Sequence, residues 1–91
     1  MRSVRLRITG RVQGVGYRAW MMREASARGL RGWVRNRADG SVEALLIGDE
    51  DAVAAMIEAC QEGPFAARVA NLAVSDAEDD GSASFRPLPT A

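Results

Sequence analysis

A glycine-rich segment at residues 9–18, with the sequence TGRVQGVGYR, joins two stretches of opposite periodicity. Before it, Val4, Leu6 and Ile8 alternate with arginine and threonine, which is typical of a strand with one buried and one exposed face. From Tyr17 onward, apolar residues recur at four-residue spacing, which is typical of a helix. The segment therefore predicts a strand that passes through a tight loop directly into the first turn of a helix.

This loop is predicted to bind an anion. A glycine-rich turn at a helix start presents free backbone N–H groups at the positive end of the helix dipole. Arg18 falls in the first helical turn, where the dipole disfavours a cation, and a bound phosphate or carboxylate would reverse that penalty. The alternative is that the glycines only relieve strain. The Gly14-Val15-Gly16 spacing, flanked by Gln13 and Arg18, favours the anion site.

The absence of histidine and lysine restricts the chemistry available to the chain. All 12 basic residues are arginine, and Cys60 is the single cysteine. The commonest general base, the commonest metal ligand and any Schiff-base amine are therefore missing, and neither an internal disulfide nor a multi-cysteine metal site can form. An enzyme of this composition would therefore work by positioning and electrostatics.

The net charge is zero, but the charges are unevenly distributed along the chain. Residues 1–37 contain ten arginines and one acid, whereas residues 38–91 contain two arginines and eleven acids. Either pairing within the sheet mixes the two halves, or a local positive field around the loop attracts a negative substrate. We favour the local field, because neutral chains rarely bind nucleic acid through bulk charge. Arg5 and Arg7 have no interleaved aromatic residues for base stacking, so we predict no nucleic-acid partner.

The chain length of 91 residues predicts one domain, residues 1–91, with a single core. No apolar run approaches the ~20 residues needed to cross a bilayer. Arg5 and Arg7 also interrupt the N-terminal stretch where a signal peptide would be apolar. We therefore expect a cytoplasmic protein with no membrane partner, and a monomer.

The predicted elements follow the order strand–helix–strand–strand–helix–strand. Strands are expected at residues 4–9, 32–37, 42–47 and 68–75, and helices at residues 17–28 and 49–63. This order predicts an α+β, ferredoxin-like two-layer sandwich with two helices on one face of an antiparallel sheet. Residues 76–82 are expected to form a mobile acidic loop, and Phe85 to anchor a short last strand that Pro87 and Pro89 terminate.

Asn36 is a second candidate for a functional residue. It lies between Arg35 and Arg37, just before a predicted turn at residues 38–40. Local sequence alone favours ordinary turn chemistry for an asparagine at this position. In the functional alternative, its neutral amide donates to one group and accepts from another, and so holds a water molecule in line with a reacting bond.

Three segments in order, residues 10–18 (GRVQGVGYR), 32–36 (GWVRN) and 39–43 (DGSVE), resemble the acylphosphatases. Gly48 and the pair at 63–64 match the same family, and the similarity extends over nearly the whole chain. The resemblance implies an enzyme that hydrolyses carboxyl–phosphate mixed anhydrides to a carboxylate and phosphate, without metal or cofactor.

The resemblance also implies roles for both candidate sites. Arg18 would bind the phosphoryl group, Asn36 would orient the attacking water, and the loop amides would cradle the phosphate oxygens. The expected phosphate-binding residues are Gln13, Gly14, Val15, Gly16, Tyr17 and Arg18, and the expected catalytic residues are Arg18 and Asn36. The partner is then a small-molecule acyl phosphate, with inorganic phosphate as product and competitive inhibitor. The sequence shows no substrate pocket beyond the phosphate site, so broad tolerance of acyl groups is expected.

Three other functions are compatible with these patterns. A non-catalytic phosphate-binding or regulatory domain on the same scaffold would bind phosphate at Arg18 without turnover. An RNA-binding module of the same strand–helix order would need exposed aromatic residues on its sheet. A carbamoyl-phosphate-handling domain of a larger maturation enzyme is the third, and the compact length favours a stand-alone protein over it.

Overall fold

The computed structural model describes all 91 residues, Met1–Ala91. The strands are β1 (Arg2–Arg11), β2 (Arg31–Asn36), β3 (Val42–Gly48), β4 (Arg68–Asp76) and β5 (Phe85–Pro87), and the helices are α1 (Tyr17–Ala27) and α2 (Glu50–Glu62). The element order is the predicted one, including the short last strand at Phe85. Neither helix is long and apolar enough to cross a membrane.

The five strands form one sheet in the order β4-β1-β3-β2-β5. β1 pairs antiparallel with both β3 and β4, and β2 pairs antiparallel with β3. At the edge of the sheet, however, β5 lies parallel to β2, with Val34 opposite Pro87. The predicted α+β, ferredoxin-like class is confirmed, and the sheet is corrected from antiparallel to mixed.

The prolines near the C-terminus do not end the pairing of β5, contrary to the prediction. Leu88, which lies between Pro87 and Pro89, donates its N–H to the Val34 carbonyl at 2.9 Å. Alternate residues of an edge strand direct their N–H groups away from the sheet, so a proline at those positions removes no ladder bond. The C-terminal segment therefore continues along β2 towards Asn36.

Both helices pack on the same face of the sheet and enclose the main hydrophobic core. Val4, Leu6 and Ile8 of β1 point into it and are fully buried, as their alternation predicts. The helices contribute Tyr17, Met21 and Ala25 from α1 and Val53, Met56 and Cys60 from α2. Cys60 is thus a core residue, in agreement with its place on the apolar stripe of α2.

The opposite face of the sheet has a small apolar cluster of its own, formed by Trp33, Leu45 and Ile47. The acidic segment at residues 76–82 lies beside this cluster and is tied to the sheet. The Asp79 carboxylate accepts from Arg31 at 2.6 Å and from the Gly81 N–H at 2.8 Å. The segment thus contacts β2 through an ion pair and contains an internal turn, and its mobility stays a prediction.

The start of α1 is anchored to the end of α2 by a buried tyrosine. The Tyr17 hydroxyl donates to the Cys60 carbonyl at 2.5 Å, and its ring packs against the backbone of Gly63. Gly63 has φ 67° and ψ −163°, a conformation that essentially only glycine adopts. A Cβ atom at position 63 would overlap the Tyr17 ring. This contact fixes the position at which α1 begins.

We predict that Gly63→Ala lowers the free energy of unfolding by about 3 kcal/mol, since backbone strain adds to overlap with a buried ring. Gly29→Ala is the matched control, because Gly29 also has a positive φ (71°) but open space around its Cα. That control is expected to lose only about 1 kcal/mol. Urea unfolding of both variants tests the contact, and equal losses would show that Tyr17 does not press against Gly63.

Candidate active site

A single cavity of about 310 Å³ contains both candidate sites of the sequence analysis. Its lining comes from the loop between β1 and α1, from the first turns of α1, from the end of β2 and from β5. The lining residues are Val12, Gln13, Gly14, Gly16, Tyr17, Arg18, Ala19, Met22, Asn36 and Pro87. Arg18 and Asn36, which are 18 residues apart in the chain, therefore face the same space.

The loop backbone has the geometry of an anion-binding nest. Gly14 and Gly16 have φ values of 72° and 81°, whereas no residue other than glycine has a positive φ. The sign of φ therefore alternates from Gly14 to Tyr17. Alternation of this kind turns successive N–H groups towards a common centre, which suits an anion. The glycines are required here because other residues rarely adopt a positive φ.

The N–H groups of this loop have no acceptor within the protein. No hydrogen bond from the backbone N–H groups of residues 14–18 to another protein group is found. Gly16 caps α1 without a side-chain hydrogen bond, and the first turn contains no acidic residue. Most helix starts are satisfied by a capping side chain or by water. Here the positive end of the dipole is left open to the cavity.

Arg18 adds a full positive charge at the same place. Its side chain is exposed and takes part in none of the six ion pairs of the protein. Those pairs join arginines of residues 1–37 mostly to acids of residues 38–91. Pairing within the fold thus neutralises much of the uneven charge, and an unpaired arginine remains beside the loop.

Asn36 is the last residue of β2 and lies on the helix-covered face of the sheet. Its partner across the ladder is Val42, a core residue, and its backbone carbonyl accepts from Ala91 at 3.0 Å. The side-chain Oδ1 is buried and has no hydrogen-bond partner in the protein. A buried amide oxygen without a partner carries a desolvation cost, which a water or ligand donor in the cavity removes.

The Gln13 side chain forms hydrogen bonds within the protein, and the role of Gln13 as a phosphate contact stays a prediction. Its side-chain Nε2 donates to two carbonyl oxygens of the β2–β3 connection, those of Arg37 and Ser41, both at 2.8 Å. Both N–H bonds of the amide are used, so the side chain joins the loop to the hairpin that carries Asn36. Only the backbone N–H of Gln13 remains for an anion.

Tyr17 and Val15 also take part through the backbone rather than the side chain. The Tyr17 ring is buried in the core, and burial together with the nearby Cys60 raises the pKa of its hydroxyl far above the usual range. The Val15 side chain packs against the core and does not line the cavity. Both side chains hold the loop in place, and the N–H of Gly16 between them has no acceptor within the protein.

Glu43 fixes the backbone on either side of Asn36 from the opposite face of the sheet. Its Oε1 accepts from Arg35 at 2.8 Å and from Arg37 at 2.9 Å, and Arg5 lies 3.6 Å from Oε2. The carboxylate is only 7% exposed. Burial alone would raise the pKa of Glu43, but the bonds from Arg35 and Arg37 outweigh burial and lower it.

Four residues of the cavity were not predicted as site residues: Val12, Ala19, Met22 and Pro87. Met22 follows Arg18 by four residues, so helical spacing from Arg18 could have indicated it. Pro87 has no such signal, because it reaches the cavity only through the parallel pairing of β5 with β2.

The arginine-bearing face of the sheet does contain one aromatic residue, Trp33. The Arg35 guanidinium lies 4.9 Å from its ring centroid, and the residue is only 7% exposed. A base could not stack on a ring covered in this way. The absence of a nucleic-acid partner stays a prediction.

The fold and the cavity together define a small α+β domain with an uncapped helix start and an unpaired arginine in one cavity. The sequence model of the acylphosphatase family matches residues 4–87. An acylphosphatase of Rhodospirillum rubrum is 49% identical over 90 residues, with 99% of each chain covered. The crystal structure of acylphosphatase from Bacillus subtilis superposes with a TM-score of 0.93 at 38% identity, covering 97% of this chain and 99% of that one. The chain therefore belongs to the acylphosphatase family.

The same fold also occurs within a longer protein. The crystal structure of T. kodakarensis HypF matches 97% of this chain with a TM-score of 0.85 and 29% identity, but only 12% of the HypF chain is covered. Membership of the acylphosphatase family makes the chain an acylphosphate phosphohydrolase, a hydrolase that acts on acid anhydrides.

We predict that Glu43 makes stability depend on pH. A carboxyl whose folded pKa is below its unfolded value stabilises the fold above the unfolded pKa, about 4.3 for glutamate, and this stabilisation is lost as the pH falls through the folded pKa. In Glu43→Gln that part of the pH dependence should disappear, so its unfolding free energy should fall less on acidification than that of wild type. Urea titrations at neutral and acidic pH measure the difference. Parallel curves for the two proteins would contradict the assignment.

Proposed function

We propose that this chain hydrolyses acyl phosphates at the cavity between α1 and β2, with Arg18 as the phosphate-binding residue and Asn36 as the water-orienting residue. The observation that carries the proposal is the presence, in one cavity, of an open helix start, an unpaired arginine and a buried amide oxygen without a partner. Each of these groups lacks a partner within the protein. A bound anion would be a partner for the helix start and the arginine, and a water molecule would be a partner for the amide oxygen.

The phosphoryl group would bind first, through the backbone N–H groups of residues 14–18. These groups converge because φ alternates in sign, and the dipole of α1 adds a partial positive charge. The Arg18 guanidinium can donate two parallel hydrogen bonds to two phosphoryl oxygens and remains charged at physiological pH. Donors that are already in place cost little reorganisation as charge develops during the reaction.

Asn36 would then hold the attacking water. Its Oδ1 accepts a hydrogen bond from the water, which directs an oxygen lone pair of the water towards phosphorus. In the chemical step the water oxygen bonds to phosphorus, and the bond from phosphorus to the acyl oxygen breaks with both electrons going to the leaving carboxylate. A phosphoryl oxygen of the substrate accepts the proton that the water loses. The products are the carboxylate and inorganic phosphate.

The chemistry asked of the protein is modest. A carboxylate is a good leaving group, so alignment of water and stabilisation of phosphoryl charge suffice, without a side chain that acts as general base. This matches a chain with no histidine and no lysine. We therefore propose turnover without metal or cofactor, which an assay in chelator tests directly.

We also propose that the protein is cytoplasmic and acts as a monomer. The largest exposed apolar side chains, Met1, Phe65 and Val74, come from separate segments of the chain. Sedimentation of the purified protein at assay concentrations tests the monomer, and a concentration-dependent mass would overturn it.

We predict that Arg18→Ala lowers kcat/KM for benzoyl phosphate by at least about 100-fold, because it removes a charged donor to the transferring group. Asn36→Ala should lower kcat by about 100-fold with little change in KM, because the water loses its orientation. Inorganic phosphate should inhibit wild type competitively and Arg18→Ala far more weakly. The loss of ultraviolet absorbance of benzoyl phosphate, followed in chelator, measures all of these.

Arg23→Ala and Asn71→Ala are the matched controls, because both residues are exposed and lie outside the cavity. Both should keep wild-type rates within about twofold, as surface changes usually do. Binding of phosphate by a wild type that leaves the substrate intact would favour the non-catalytic phosphate-binding domain instead. Full kcat in Asn36→Ala would exclude its role in orienting water.

A further inference from the structure

The cavity has two chemically distinct parts. The polar part consists of the loop, Arg18 and Asn36. The remainder is apolar and is formed by Ala19, Met22 and Pro87. Binding and orientation of phosphate account for the polar part only, so the apolar part is available to the remainder of a substrate.

The placement of the apolar part follows from the fold. Met22 lies four residues after Arg18 and three after Ala19 on α1, so its side chain is a neighbour of both on the helix surface. Pro87 lies opposite Val34 in the parallel β2–β5 pair, and Val34 is two residues before Asn36 on β2. These residues therefore adjoin the phosphate loop on one side and the sheet edge on the other.

The three residues are accessible to a ligand. Ala19 and Pro87 are exposed, and Met22 is half-buried, with part of its side chain against the core. A methionine side chain is flexible and polarisable, and it adapts well to the shape of an aromatic or branched group. Arg18 is the sole charged residue in the cavity lining, so a second negative charge on the substrate would find no partner there.

We infer that Ala19, Met22 and Pro87 form the binding surface for the acyl group, and that this protein prefers acyl phosphates whose acyl group is apolar and uncharged. The inference rests on the proposed function, since it places the remainder of the same substrate. A total volume of about 310 Å³ is at the small end of ligand pockets, so the surface accommodates a compact group such as a benzoyl ring.

This inference and the expectation of broad tolerance predict different results for the same two substrates. The test compares kcat/KM for benzoyl phosphate and for acetyl phosphate in wild type, Met22→Gln and Met22→Leu. Loss of apolar contact in a half-open site should lower the benzoyl-to-acetyl ratio of Met22→Gln by about 3- to 10-fold relative to wild type. Met22→Leu keeps the apolar contact, so its benzoyl-to-acetyl ratio of kcat/KM should stay close to that of wild type.

Val74→Gln is the matched control for an apolar-to-polar change. Val74 is 42% exposed on β4, at the sheet edge opposite β5 and away from the cavity. The benzoyl-to-acetyl ratio of kcat/KM for Val74→Gln should equal that of wild type. An unchanged ratio in Met22→Gln, or an equal fall in Val74→Gln, would overturn the assignment of the acyl surface.

A binding measurement separates this inference from the proposed function. Phenylphosphonate carries a phenyl group and methylphosphonate a methyl group on the same anionic phosphonate. Neither compound is hydrolysed, so their affinities can be compared without turnover. Wild type should bind phenylphosphonate several-fold more tightly, and Met22→Gln should lose most of that difference. If wild type hydrolyses neither acyl phosphate but shows this difference, the proposed function fails and the apolar surface is supported. If wild type binds the two phosphonates equally, the apolar surface is overturned whether or not turnover occurs.

Discussion

Backbone N–H groups at the start of a helix need an acceptor, and the start of α1 has none within the protein. The loop keeps this arrangement because φ alternates in sign at Gly14 and Gly16, and because Tyr17 is held in the core against Gly63. An arrangement with unsatisfied donors and an adjacent arginine is unfavourable by itself, and the packing of α1 and α2 on the sheet must compensate for it. Binding of an anion would relieve the same unfavourable terms, and this relief is the physical basis of the proposed phosphate site.

The second half of the site depends on how the sheet holds Asn36. Its side chain forms no bond that orients it, so its position follows from the backbone of β2. Glu43 holds Arg35 and Arg37 from the opposite face, and Gln13 connects the glycine-rich loop to the carbonyl of Arg37. The glycine-rich loop and Asn36 are therefore linked through one short hairpin. Residues on the arginine-bearing face of the sheet therefore help to set the geometry of the cavity on the helix-covered face.

Much of this arrangement can be predicted from the sequence because it is local. The change from two-residue to helical periodicity around residues 9–18 indicates a strand, a loop and a helix start, and the position of Arg18 indicates an anion. Asn36 is different, since an asparagine before a turn has an ordinary explanation, and only the resemblance to a family singles it out. Its unpartnered oxygen is a property of the folded protein, because it depends on what β3, β5 and α1 place around it.

The remaining differences arise from contacts between distant segments. A parallel edge strand of three residues leaves no periodic pattern, and the spacing of Pro87 and Pro89 is tolerated only because β5 is at the edge. For the same reason the apolar side of the cavity and the ion pair that holds the acidic segment could not be derived from sequence. The side chain of Gln13 shows a further limit, since a motif identifies a residue but not the direction in which its side chain points.

The most direct measurement of the central claim is a titration of the ¹⁵N-labelled protein with inorganic phosphate, followed through amide chemical shifts. The account predicts that the largest shifts occur at the backbone N–H groups of residues 14–18 and at the side-chain amide of Asn36, with saturation at a single site. Shifts centred on the arginine-bearing face, at Arg5 and Arg35, with the loop unchanged, would contradict the account, because the anion would then bind on the opposite side of the sheet.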